Sequence, residues 1–266
     1  MTKNIKTAED FAKEQKEISI SEFFEKNKHL LGFDNPTKAL LMVVKEAVDN
    51  SLDATEEAGI LPDITVKIKS TGEDRFAVSV QDNGPGIVKE QIPRVFGKLL
   101  YGSKFHRRRQ SRGQQGIGVS ACVLYSQLTT GKQTKIWSKT GEGKKAHYYE
   151  ILIDTTKNEP QIVKDQVLDD GVAQGVKVEL DLAGRYRKTQ SVEDYLKQTA
   201  IANPFAKISY IGPDGTKITF PRTVNALPEP PKEIKIHPYG VEFGILLRML
   251  GSTKSRNVSS FLVNEF

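Results

Sequence analysis

Three groups of residues in this 266-residue chain have types and spacings that could do chemistry. Glu46, Asp49, Asn50 and Asp53 fall at i, i+3, i+4 and i+7, so on a helix they form one stripe. Three carboxylates stacked in this way repel one another unless water or a cation relieves them. The stripe reads either as an ordinary solvated face or as part of a site. The amide among the acids suits a hard cation such as Mg²⁺, which takes few protein ligands and fills its shell with phosphate oxygens. Asp82-Asn83-Gly84-Pro85-Gly86 is the second group. It reads as a tight turn, or as a carboxylate beside glycines that let a flat ring approach the backbone. An ionised Asp82 only accepts hydrogen bonds, so an exocyclic amino group such as that of adenine is its natural partner. The third group is Arg112-Gly113-Gln114-Gln115-Gly116-Ile117-Gly118-Val119. Its glycines let backbone N–H groups converge, and a helix starting at its end favours an anion. It is not a dinucleotide fingerprint, because the G-x-G-x-x-G order is reversed and no strand precedes it. Gly97 to Lys104 imitates a P-loop but transposes the lysine and the hydroxyl.

These residues need elements to hold them. Asn35-Pro36 supplies a helix cap followed by proline at the first helical position. Leu40, Leu41, Val43, Val44, Ala47, Val48 and Leu52 then mark an apolar face opposite the acidic stripe, and the helix should stop near Ala58-Gly59. Alternation predicts strands over Ile64–Lys69 and Phe76–Val80, joined by Thr71-Gly72-Glu73-Asp74. A loop-rich stretch runs from Asp82 to Gly118, and an apolar helix from about Val119 to Leu128. Further strands are expected at Thr134–Ser138, His147–Ile153 and Val176–Leu182, with a pair at Ala206–Ile211 and Thr216–Phe220. Helices mixed with hairpins argue for an α+β sandwich, helices layered on a mostly antiparallel sheet. Residues 1–30 read as a polar, helical arm, Pro221 to Pro231 as a proline-rich linker, and Tyr239 to Phe266 as helical but too short for a domain.

Composition narrows the class. The chain is 38% hydrophobic and 27% charged, enough to bury a core and unlike a disordered chain. No apolar run approaches the length of a membrane-spanning helix, and Met1 to Glu17 lacks a signal-peptide core, so the chain reads as soluble and intracellular. A single cysteine, Cys122, excludes a disulfide framework and a multi-cysteine zinc site, and the four histidines lack ligand spacing. Net charge is only +6, yet no acidic residue lies between Glu90 and Glu142. Arg94, Lys98, Lys104, Arg107, Arg108, Arg109, Arg112, Lys132, Lys135 and Lys139 all fall there. Such a tract is either a solvated basic face or a seat for a polyanion such as phosphate.

Taken in order, Glu46-x3-Asn50, Asp82-x-Gly84-x-Gly86 and Gly113-x2-Gly116-x-Gly118 resemble the Bergerat, or GHKL, ATPases. These include the gyrases, the heat-shock chaperone ATPases, the sensor histidine kinases and the mismatch-repair ATPases. Five further segments resemble the B subunits of type II DNA topoisomerase VI. They are Phe23 to Asn27, Gly102-Ser103-Lys104-Phe105, Gln110 to Gly118, Leu128-Thr129-Thr130-Gly131 and His237-Pro238-Tyr239-Gly240-Val241. The resemblance implies an arm at 1–30 and a Bergerat-type ATPase sandwich at 31–228. It places a linker and a truncated helix-two-turn-helix domain at 229–266. It implies ATP and Mg²⁺ as cofactors, with Glu46 as the base that activates water and Asn50 as the metal ligand. Asp82 would read adenine, while Ser103, Lys104, Arg112, Gly113, Gln114, Gln115, Gly116, Ile117, Gly118 and Val119 would wrap the phosphates. It also implies a clamp that homodimerises on ATP, a separate cleaving A subunit in an A2B2 heterotetramer, and double-stranded DNA as the captured partner. The setting would be the archaeal cytoplasm, at the nucleoid. Two features depart from the pattern: Val176 stands where a threonine is usual, and a transducer domain carrying a phosphate-reaching lysine would lie past Phe266, so the sequence reads as a fragment. The rivals are another GHKL ATPase of chaperone or mismatch-repair type, and a non-enzymatic nucleic-acid module using the basic tract.

Overall fold

Asn35 caps the central helix as its sequence predicts: its side chain accepts a hydrogen bond from the Thr37 N–H at 2.8 Å, and Pro36 opens the first turn. In the computed structural model, which describes residues 7, 18–102, 112, 116–169, 171–187, 191–232 and 234–266, this helix, α2, spans Pro36–Glu57. It follows a short helix α1 at Ile20–Asn27, closed by a Ser19/Glu22 capping box. Twenty-two residues give α2 a length of roughly 33 Å, enough to cross the sheet behind it. Leu40, Val43, Val44, Val48 and Leu52 are essentially solvent-free beneath it. The helix ends where Gly59 takes a left-handed turn at φ 71°.

Eight strands form one sheet in the order β5-β4-β3-β6-β2-β1-β7-β8. They are β1 Asp63–Gly72, β2 Arg75–Gln81, β3 Thr134–Lys139, β4 Ala146–Asp154, β5 Glu159–Leu168, β6 Gly175–Ala183, β7 Lys207–Ile211 and β8 Lys217–Phe220. Every neighbouring pair is antiparallel except β1 with β7. A parallel pair needs a crossover, and helix α5 at Val192–Ala202 lies within it, opened by a Ser191/Asp194 capping box. Helices α3 (Ile92–Gly97) and α4 (Gly118–Thr130) join α2 and α5 on one face of the sheet. The core lies between the layers, where Ile64, Val66, Val78, Val80, Ile136, Ile151 and Leu180 meet Val123 and Leu124 of α4. The α+β sandwich with a mostly antiparallel sheet is the one expected. Helices α3 and α5 and strand β5 are additional to the sequence reading.

The opposite sheet face carries polar rows that pair with part of the basic tract. Lys135 pairs with Glu179 at 3.1 Å and Lys132 with Asp181 at 2.8 Å, both acids on β6. Lys98 pairs with Glu159 on β5, and Arg112 pairs with acids on α2. These four cations of the tract take their acidic partners from elsewhere in the chain. For these four cations a polyanion is not needed to balance the charge. Beyond the proline-rich stretch, α6 (Phe243–Ser252) and α7 (Val258–Glu265) bury only Met249 and Phe261 between them.

Candidate functional site

The acidic stripe of α2 is not a solvated face. Only Asn50 is exposed; Glu46 and Asp49 are half-buried, and Asp53 retains 7% of its surface. Each acid has its own relief. Lys45 Nζ donates to Asp49 Oδ2 at 2.8 Å and stands 3.9 Å from Glu46 Oε1. Burial opposes the Lys45 ammonium, but the hydrogen bond and charge of Asp49 outweigh it and raise its pKa. Tyr195 of α5 donates its hydroxyl to Asp49 Oδ1 at 3.1 Å, and burial followed by the charge of Asp49 pushes the phenol pKa upward. Asp53 accepts from Arg112 Nη1 at 3.0 Å. The repulsion expected from the spacing is therefore quenched by Lys45 and Arg112, leaving the Asn50 amide without a partner among the described residues.

Asp82 sits one residue past β2 and is also buried, at 7% exposure. Its Oδ1 accepts from the N–H of Gly84 at 2.9 Å and of Val176 at 3.0 Å, and its Oδ2 accepts from Ser51 Oγ at 2.9 Å. Burial drives the carboxyl pKa upward against these three bonds. Ser51 follows Asn50 on α2, so the carboxylate ties the central helix to strands β2 and β6. A carboxylate offers about four acceptor positions. Three are filled here, which leaves one on Oδ2 for a donor from outside. The glycines beside it serve the protein as well. Gly86 has φ 72°, and a Cβ there would lie 2.4 Å from the Lys139 carbonyl oxygen; a Cβ on Gly175 would lie 2.1 Å from that of Asp82. At these two positions the close approach is between segments of the protein itself, whereas the sequence reading credits the Gly86 approach to a ligand ring.

Helix α4 opens at Gly118 with no side-chain cap, so its first N–H groups point outward and favour an anion. Gly118 lies against Glu46: a Cβ there would stand 1.9 Å from Glu46 Oε2. Gly116, just ahead, has φ 59°, and Ile117 and Val119 pack against the core. Ser103, Lys104, Gly113, Gln114 and Gln115 lie outside the described residues. Arg112 is described, and its guanidinium reaches Asp53, Glu56 and Asn203. Burial opposes that cation, and the charges of Glu56 and Asp53 raise its pKa regardless.

The structure thus brings Glu46, Asn50 and Gly118 together on one side of α2 and ties Asp82 to the next residue, Ser51. The donor set fits a nucleotide: an unfilled carboxylate acceptor for an amino group, an uncapped helix end for an anion, and an exposed amide one turn from a carboxylate. Among the described residues no cluster of three or more His, Cys, Asp or Glu could hold a metal by itself. Sequence reasoning missed Ser51, Lys45, Tyr195 and Asn203. Only Lys45 carries a local signal, its i,i+4 spacing to Asp49.

Residues 35–156 match the histidine kinase-, DNA gyrase B-, and HSP90-like ATPase family. The chain is 56% identical over 261 residues to the B subunit of type 2 DNA topoisomerase 6 from Methanosarcina barkeri, covering 97% of this chain and 42% of that protein. The Archaeoglobus fulgidus protein of the same name is 55% identical over 253 residues, 94% of this chain and 42% of its own length. This chain therefore spans about two-fifths of those curated relatives. Among solved structures, the Aquifex aeolicus MutL ATPase domain complexed with ADP aligns with a TM-score of 0.43 at 18% identity, over 69% of this chain and 64% of that one. No helix among the described residues is long and apolar enough to cross a membrane.

Proposed function

We propose that this chain, whose residues 35–156 match the histidine kinase-, DNA gyrase B- and HSP90-like ATPases and which is 56% identical to a B subunit of type 2 DNA topoisomerase 6, is the ATP-operated part of such a topoisomerase. The observation that carries the reading is the joint placement of Glu46, Asn50 and Asp82: base and metal ligand one turn apart on α2, with the base-reading carboxylate bonded to the residue after Asn50.

Each residue then has a role set by its surroundings. Asp82 accepts a hydrogen bond from the adenine amino group on its remaining acceptor position. Asn50 would hold Mg²⁺, which when bound would neutralise charge on the phosphates. The N-terminus of α4, from Gly118, with Gly113 to Val119 and the Ser103-Lys104 pair, would enclose the phosphates. Glu46 accepts a proton from the attacking water, and Lys45 sets a cation beside that carboxylate. Val176 supplies a backbone N–H to Asp82 but no hydroxyl, so any water-mediated base contact through a threonine is missing in this chain.

The wider assembly rests on the relatives' name. ATP would bring two copies together and trap one DNA duplex while an A subunit cuts another, in an A2B2 arrangement at the archaeal nucleoid. Residues 1–30 would act as an arm, 31–228 as the ATPase unit, and 229–266 as a linker leading into a helix-two-turn-helix domain. A chaperone or mismatch-repair role would use the same ATP chemistry but is favoured by no observation on this chain. The test is to titrate Mg²⁺–ATP into the purified chain by calorimetry, and to assay strand passage after combining a full-length B chain with an A subunit. Absence of Mg²⁺-dependent ATP binding would sink the proposal; ATP binding without strand passage would leave only the nucleotide half standing.

A further inference from the structure

Arg112 opens the glycine-rich segment, and its charge would suit a phosphate. Its surroundings point elsewhere. Nη1 donates to Asp53 Oδ1 at 3.0 Å and to Glu56 Oε1 at 2.8 Å, while Nη2 donates to Asn203 Oδ1 at 2.6 Å. Asn203 is the C-cap of α5, and its own Nδ2 donates to the Thr199 carbonyl at 2.8 Å, so its oxygen is turned outward to accept. Three partners on two helices converge on one planar cation, an arrangement that arginine's fixed fork of donors suits and a lysine cannot reproduce. Asp53 is buried, and a buried carboxylate stripped of its cation is costly. The pairing is therefore built to persist.

The second anchor lies six residues on. Gly118 rests against Glu46, close enough that a Cβ there would stand 1.9 Å from Oε2. Glu46 and Asp53 are seven residues apart on α2, a rise of about 10 Å. Six residues of chain can span at most about 20 Å. Arg112 is therefore tied to α2 beside Asp53, Gly118 lies close against Glu46, and Asn50 lies on the stripe between those two positions.

We infer that Arg112 is a positioning residue: it fastens the start of the phosphate segment to α2 and α5 through Asp53, Glu56 and Asn203, and does not itself bind phosphate. The inference rests on the ATP reading of the neighbouring site. It differs from the expectation that Arg112 wraps the phosphates, and the two diverge in a measurable way.

A positioning residue and its anchor fail together, whereas a phosphate ligand and its competitor fail in opposite directions. The variants are Arg112→Gln, Asp53→Asn and the pair combined, in which no unpaired buried charge remains. Mg²⁺–ATP affinity is expected to fall about tenfold in each single variant, with the double no worse than either alone, and adenosine affinity is expected to hold. Loss of ATP affinity in Arg112→Gln together with unchanged or tighter binding in Asp53→Asn would overturn the inference. A second measurement is independent of ATP. Amide hydrogen exchange in the nucleotide-free chain should speed up by about tenfold or more over residues 116–120 in both single variants, with β2 and β6 unaffected. Unchanged exchange there in both variants overturns the inference even if the chain binds no nucleotide; faster exchange supports it even then. Failure of the unaltered chain to bind ATP bears on the functional reading alone.

Discussion

Asp82 and Glu46 are both acids on the helix-facing side of one domain, yet they are held in opposite ways. Asp82 is buried and accepts three hydrogen bonds from three different segments: α2 through Ser51, the turn through Gly84, and β6 through Val176. Its geometry does not depend on any charged partner. Glu46 is half-buried, with Lys45 3.9 Å away and the first residue of α4 pressed against it. Its described neighbours include a lysine side chain and the first residue of a helix. A group fixed by backbone N–H donors suits a contact that is the same throughout a reaction. A group set beside a cation and a helix N-terminus suits one whose charge changes during it.

The comparison breaks most visibly at Glu46. Its carboxylate is assigned to the transition state, so Glu46→Ala should slow ATP turnover by roughly 10²–10⁴-fold while leaving ATP affinity nearly intact. Removing a negative charge near the γ-phosphate should, if anything, tighten binding. Parallel calorimetry and phosphate-release assays on a full-length B chain decide it. Loss of binding equal to the loss of turnover would return Glu46 to the role of a structural member of the stripe.

The next effect is expected at Asp82 and falls on the other side of the divide. On the proposed reading the adenine amino group would be bound equally before and during phosphoryl transfer, so Asp82→Ala should cost affinity, at about 1.5–3 kcal/mol for a charge-assisted hydrogen bond. Turnover at saturating ATP should change little. A variant that keeps wild-type affinity for ATP but not its turnover would exchange the roles assigned to the two acids.

How much of this was legible in the sequence follows from how local each cause is. Helix α2 announces itself through Asn35-Pro36, its apolar period and Gly59, all signals within a few residues. Strand β5 does not, because nearly every residue along this edge strand is at least partly exposed, so Glu159–Leu168 carries no alternation to read. Helix α3 is too short, at six residues, for a periodic pattern. Helix α5 carries a readable signal, the Ser191/Asp194 capping box, which a reading led by periodicity passes over. For the site, the Glu46–Asn50 spacing and the Asp82 turn stand out because they are contiguous. The partners that give them meaning are distant: Ser51 to Asp82 spans 31 residues and Arg112 to Asn203 spans 91. No local pattern shows that the acids of the stripe are already paired, or that Gly86 and Gly175 are glycines because another segment's carbonyl lies where a side chain would go.

The smallest expected effect sharpens the contrast from the stability side. Burial raises the Asp82 carboxyl above its ordinary value despite its three hydrogen bonds, so the folded state holds that proton more tightly than the unfolded chain does. The sign follows from linkage: a carboxyl with a raised folded pKa destabilises the fold once it is ionised in both states, and the penalty disappears as pH falls through the folded value. An asparagine keeps the carbonyl oxygen for Gly84 and Val176, and its amide can donate to Ser51 Oγ, so it retains the cross-ties without the buried charge. Asp82→Asn should therefore melt higher than the unaltered chain at pH 7, by about 2–4 °C for each kcal/mol relieved, and the gain should shrink as the pH is lowered toward about 4. ATP affinity should fall in the same variant, since the amide offers no ionised acceptor to the adenine amino group. Thermal melts at several pH values, alongside one ATP titration, test both halves. A variant that melts lower at pH 7 would mean that the three hydrogen bonds outweigh burial, and that Asp82 is retained for the fold as much as for the nucleotide.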